Sequence, residues 1–171
     1  MTRKIISAAV ALLAAFVLQV GVAPYISIMG VAPNFFLVAV ISIALLNGAN
    51  AGAGVGFVAG LLLDLIGTGA VGPMALSLSV TGFVVGLLDQ HLFAEGWLLP
   101  VTILGTASLV SEILYFLILI VLGSEVPFFR TLGTLVVPAS LYTAVISLAF
   151  YPPISRFVGR ERGPASFGRV G

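Results

Sequence analysis

The chain alternates long apolar blocks with short breaks rich in glycine, proline and asparagine, a pattern of buried helices rather than of the half-exposed elements of a soluble fold. Six blocks can be marked: about Ile5 to Ala23, Pro33 to Asn47, Ala49 to Ile66, Pro73 to Leu88, Leu98 to Leu122 and Thr131 to Tyr151. Each predicts a helix, because a backbone in hydrocarbon must satisfy its hydrogen bonds within its own segment. The first block ends at Pro24, and Tyr25 to Ala32 forms an uncharged connection. The second is short: at roughly 1.5 Å per residue it reaches only about 22 Å of a ~30 Å hydrocarbon core. It must be thinly embedded or shielded by its neighbours. Asn47, Gly48 and Asn50 supply turn chemistry, so the second and third blocks predict a tight helical hairpin. The fifth block is long enough to tilt or protrude. The sixth contains Pro138, which predicts a kink, and stops at Pro152-Pro153.

Within the third block glycine recurs at every fourth residue, Gly48, Gly52, Gly56 and Gly60, and the same spacing lands next on Asp64. At about 100° per helical residue, Ala49, Gly52, Gly56, Ala59, Gly60 and Gly67 fall within one arc of roughly 100°. Val55, Val58, Leu61, Leu62 and Leu65 lie opposite. In a bilayer such a flat face matters because it lets two backbones approach closely enough for dense van der Waals contact. It is built to be covered by another helix, of this chain or of a partner. Gly82 and Gly86 repeat the spacing in the fourth block.

Composition turns the pattern into a class. With 60% hydrophobic and 8% charged residues and a mean hydropathy of +1.25, the chain is a polytopic membrane protein, all-α, of about six transmembrane helices. Residues 1–153 would form the membrane domain and residues 154–171 a basic tail. The start has a basic turn followed by an apolar stretch, like a signal peptide, but the stretch is long and Pro24 follows Ala23, so an uncleaved first helix is expected. Six spans put Arg3, Lys4, Arg156, Arg160, Arg162 and Arg169 on one side and leave only Arg130 opposite. By the positive-inside rule both termini are then cytoplasmic. The tail arginines, Arg156, Arg160 and Arg162 among them, read as topology determinants near anionic lipid or as a partner contact. Nothing points to nucleic acid.

Candidate chemistry is sparse. There is no cysteine and one histidine, so thiolate chemistry is absent and no catalytic triad can be assembled. His91 lies between Asp89 and Glu95 in what reads as a polar loop rather than a metal site. No enzyme, metal or cofactor is expected. The informative polar residues are Gln19, Asp64 and Glu112, which on this topology all fall in the outer half of the bundle and could converge there. No lysine or arginine lies mid-span, so each carboxyl must be protonated, hydrogen-bonded, hydrated or met by a partner. Asp64 could also cap a helix end at the glycine turn that follows it.

The stretch Gly56-Phe-Val-Ala-Gly-Leu-Leu-Leu-Asp-Leu65, with Gly67, Gly69, Gly72 and Ala75-Leu76 after it, resembles the central signature of the MreD family of rod shape-determining membrane proteins. Pro33-Asn-Phe-Phe and Gly82-Phe-Val-Val-Gly86 resemble it too, and the likeness is strongest over about Ala32 to Leu88. It implies a non-enzymatic scaffold of the cell-elongation and peptidoglycan machinery in the bacterial inner membrane. The implied partners are an MreC-like scaffold protein and, through it, MreB, RodA and its transpeptidase. It also implies a fold similar to the substrate-binding subunits of energy-coupling-factor vitamin transporters. That fold makes such a subunit, with a small-molecule ligand in the outer pocket, the alternative function. The few polar groups within spans favour the scaffold.

Overall fold

The computed structural model describes residues 2–28, 30–89, 98–124 and 131–158. The helices are α1 (Thr2–Gly21), α2 (Phe35–Asn47), α3 (Ala49–Ile66), α4 (Pro73–Asp89), α5 (Leu98–Val121) and α6 (Val137–Val158), the last entered through a π-helical turn, Leu132–Val136. Among the described residues the only extended pairing is an isolated bridge between Ile28 and Val31. Among the described residues three segments are long and apolar enough to cross a membrane: Ala49–Ile66, Thr102–Val121 and Leu132–Phe150. Ile5–Gly21, Phe35–Asn47 and Pro73–Leu88 are apolar but shorter.

The shortest helix is the centre of the bundle. Every residue of α2 from Phe35 to Leu45 is buried, and α2 packs on α1, α3, α4, α5 and α6. A helix that is apolar on all sides gains most when surrounded on all sides. Its neighbours shield it, so its length need not match a bilayer. Edge-to-face ring pairs lock it on two flanks: Phe36 against Phe16 of α1 at 6.3 Å and Phe35 against Phe150 of α6 at 5.1 Å between centroids.

Two boundaries differ from the pattern reading. α2 begins at Phe35 rather than Pro33, because Asn34 takes the capping position with extended backbone angles and accepts from the Leu37 amide. The last helix continues through Pro152 and Pro153 to Val158. At Pro138 the device is a π turn immediately upstream, in which the Val137 amide bonds the Leu132 carbonyl. The widened turn makes room for a proline ring that would strike the carbonyl one α-turn back.

Candidate functional site

The glycine face of α3 is covered by α4 of the same chain, the most extensive helix pair among the described residues. A Cβ added at Gly52 would fall on the Gly82 carbonyl, and one at Gly82 would fall on the Gly52 carbonyl. At Gly56 it would meet the Leu78 carbonyl, and at Gly60 the Met74 carbonyl and the Ala75 backbone. At Gly86 it would sit 2.5 Å from Ala49 Cα, well inside the 3.0 Å that real Cβ atoms essentially never breach. The glycine ladder of α3 therefore lies backbone to backbone against α4, which answers it with Gly82 and Gly86 at one end and with the backbone of Leu78, Met74 and Ala75 toward the other. Contacts this close place Cα–H groups against carbonyls and maximise dispersion where hydrophobic drive is weak. Ser79 adds a cross-seam hydrogen bond to the Ala53 carbonyl at 3.1 Å.

Gly48 has the same spacing but a different place. It joins α2 to α3 with φ +87°, and a Cβ there would meet nothing within 4 Å. Its requirement is the left-handed backbone of the turn.

Asp64 closes this seam at the end where α3 gives way to the loop before α4. It is 7% exposed, and its carboxylate receives three backbone amides from the start of α4: Gly72 to Oδ2 at 2.8 Å, Ala75 to Oδ2 at 3.1 Å and Met74 to Oδ1 at 3.2 Å. The first turn of any helix has amides with no intrahelical partner. Here Pro73, at the first helical position, has no amide to satisfy, and the Leu76 amide already reaches the Gly72 carbonyl at 2.9 Å. Asp64 takes all the rest. Gly72, with φ +122°, turns the loop back toward the aspartate. The carboxylate also complements the positive end of the α4 dipole. Asp64 thus caps the start of the following helix, not the end of its own.

Gln19 makes the analogous contact elsewhere. Its Oε1 accepts from the Phe35 amide at 2.8 Å, at the start of α2. The Asn34 amide in turn donates to Thr143 Oγ1 of α6 at 3.1 Å, and Tyr142 Oη donates to the Ile26 carbonyl at 2.6 Å. Side chains of α1 and α6 therefore pin the entrance of the central helix. Of the three polar residues singled out from sequence, Asp64 and Glu112 are brought within electrostatic reach of a common neighbour, Tyr115, while Gln19 is committed to α2. Glu112 is half-buried on α5, and the neighbouring Ser111 joins α5 to α4 by accepting from Ser77 Oγ at 2.6 Å on its carbonyl.

Arg156 lies in α6, and Arg160 and Arg162 lie outside the described residues, as do His91 and Glu95. Among the described residues no group of three histidine, cysteine, aspartate or glutamate side chains could hold a metal. The residues that the pattern missed are Asn34, Tyr142 and Thr143. Asn34 carried a legible signal, an N-cap residue directly before an apolar run. The two on α6 carried none, because they act on backbone more than a hundred residues away in sequence.

Comparison with known proteins places the chain. The family model described as rod shape-determining protein MreD matches residues 2–160. No curated protein and no solved structure matches it.

Proposed function

Because the chain belongs to the MreD family of rod shape-determining membrane proteins, we propose that it works in the cell-elongation machinery as a non-enzymatic scaffold for partner membrane proteins. The observation that carries this reading is how the intramembrane polar groups are used. Asp64 and Gln19 are consumed in capping α4 and α2, so the polar chemistry of the outer half goes into fixing helix positions. A rigid hairpin with a filled seam presents a constant outer surface, which a scaffold needs. The transporter alternative draws no support, since no solved structure matches and a substrate pocket would need those polar groups free.

In this reading an MreC-like protein docks on the lipid-facing helix surfaces and brings the chain to MreB, RodA and its transpeptidase, in the bacterial inner membrane. The six-to-one distribution of basic residues supports six spans with both ends cytoplasmic. Gentle extraction of the tagged full chain followed by identification of co-purifying proteins tests the proposal. Recovery of a cell-elongation assembly supports it, and recovery of ATPase subunits with no cell-wall component overturns it.

A further inference from the structure

Gln19 and Asp64 are spent on the starts of α2 and α4; Glu112 is not. It is the eleventh of the 20 residues in the apolar span Thr102–Val121, which contains no other charged residue. Its carboxylate makes no hydrogen bond or ion pair within the described residues. Two fully buried side-chain oxygens there also lack a partner, Thr81 Oγ1 and Ser108 Oγ. The Glu112 oxygens are unpaired without being among these, so both reach the surface of the chain. Ser108, one turn before Glu112 on α5, is 0% exposed, and its idle hydroxyl marks the same stretch as one that the fold leaves short of partners.

The packing opens at this level. Gly105 lies two turns before Glu112 on the same face of α5, and there α6 is close: a Cβ at Gly105 would stand 3.4 Å from Ala144 Cβ. Two turns back along α6 from Ala144 is Val137, which is 39% exposed, and in the adjoining π turn a Cβ at Gly133 would meet nothing within 4 Å. The seam between α5 and α6 is thus closed at Gly105 and open toward Glu112. Only 22% of the Thr102–Val121 span is buried within the chain, which leaves room for another helix beside it.

We propose that Glu112 is a docking point for a lysine or arginine carried within the membrane by a transmembrane helix of a different protein. The inference deepens the scaffold reading and rests on it. A carboxylate within a span is costly unless it meets protein or water, and this chain offers it no cation. A second copy cannot supply one, because no lysine or arginine lies mid-span anywhere in the sequence. Among the described residues no three acidic or histidine side chains gather to hold a metal, and the cationic part of a lipid headgroup lies at the membrane surface. A lysine or arginine can lay its apolar stem along the flank left bare at Leu117 and Val110, 45% and 48% exposed, and bring its head to the carboxylate. Charge-assisted hydrogen bonds are strong in such surroundings, and loss of either member leaves the other charge buried and unpaired.

The test is co-purification from cells of the tagged full chain as wild type, Glu112→Gln and Glu112→Lys. Glu112→Gln is expected to lower recovery of a membrane partner several-fold and Glu112→Lys at least tenfold, while hydrogen exchange at the Met74 and Ala75 amides of the purified Glu112→Gln chain stays as in wild type. Glutamate in place of the partner's intramembrane lysine or arginine should restore recovery with Glu112→Lys. Equal recovery by wild type and Glu112→Gln, or accelerated exchange in the isolated Glu112→Gln chain, overturns the pairing and leaves the scaffold reading standing. If wild type itself recovers no membrane protein, the scaffold reading fails and the pairing with it. Benzoylphenylalanine at Phe116, one turn after Glu112, gives a measurement that keeps the carboxylate: an adduct to a transmembrane segment containing lysine or arginine supports the proposal, and adducts to lipid alone overturn it.

Discussion

Replacing Asp64 by alanine removes the only side chain that receives the Gly72, Met74 and Ala75 amides. The cost depends on where each amide is left. Ala75 is 1% exposed, so its donor has no water to turn to and should cost about 1–3 kcal/mol. Gly72 and Met74 are half-buried and can recruit water, which reduces their share to the ordinary capping loss of about 0.5–2 kcal/mol. The expected destabilisation of Asp64→Ala is therefore about 2–4 kcal/mol. Asp64→Asn keeps one acceptor oxygen, which can hold Gly72 and Ala75, but it turns an NH2 group toward the Met74 amide; about 1–2 kcal/mol is expected. The assay is unfolding of the purified full chain in mixed micelles, together with hydrogen exchange at the Met74 and Ala75 amides. Exchange there should accelerate most in Asp64→Ala. The capping account fails if Asp64→Ala is as stable as wild type, or if both amides keep their protection. If the asparagine variant is intact alone yet loses its membrane partners, Asp64 serves a basic group on a partner instead.

Further outcomes follow from the same contacts. Gly56→Leu and Gly60→Leu cannot be accommodated without parting α3 from α4; each should destabilise the hairpin by about 1–3 kcal/mol or more and reduce recovery of partner complexes, with membrane insertion intact. Normal complex recovery and normal cell shape with both would defeat this. Gln19→Leu orphans the Phe35 amide at the start of the buried central helix, and a loss of about 1–2 kcal/mol is expected, measured by the same unfolding assay. Gly48→Ala should cost about 1–2 kcal/mol through its left-handed backbone alone, with no effect on seam packing. Because the chain has no cysteine, single cysteines placed near each terminus give a clean topology test: both should react only with reagents that reach the cytoplasm, and labelling of either from outside refutes six spans with inward ends.

The sequence by itself determined the class, the helices and the small-residue face. Hydropathy and helical period are local properties, so α3 was legible from Ala49 to Ile66, and the α2–α3 turn from Asn47, Gly48 and Asn50, with no knowledge of neighbours. The short second block was legible as one needing shelter, because its length and apolarity conflict with an independent span. What covers a face is a non-local fact, and only the tertiary structure decided it. Glycine spacing cannot distinguish a seam within the chain from one offered to a partner; that follows from Gly82 and Gly86 arriving antiparallel on Gly52 and Ala49. The same holds for Asp64. Its sequence position next to a glycine turn permits capping, but its three amides lie eight, ten and eleven residues later, at the start of the following helix, once the loop has folded back. The pinning of α2 by Gln19 and Thr143 is more distant still, and no pattern along the chain encodes it. Periodicity therefore determines which residues share a face, and the packing of one face on another determines what each residue does.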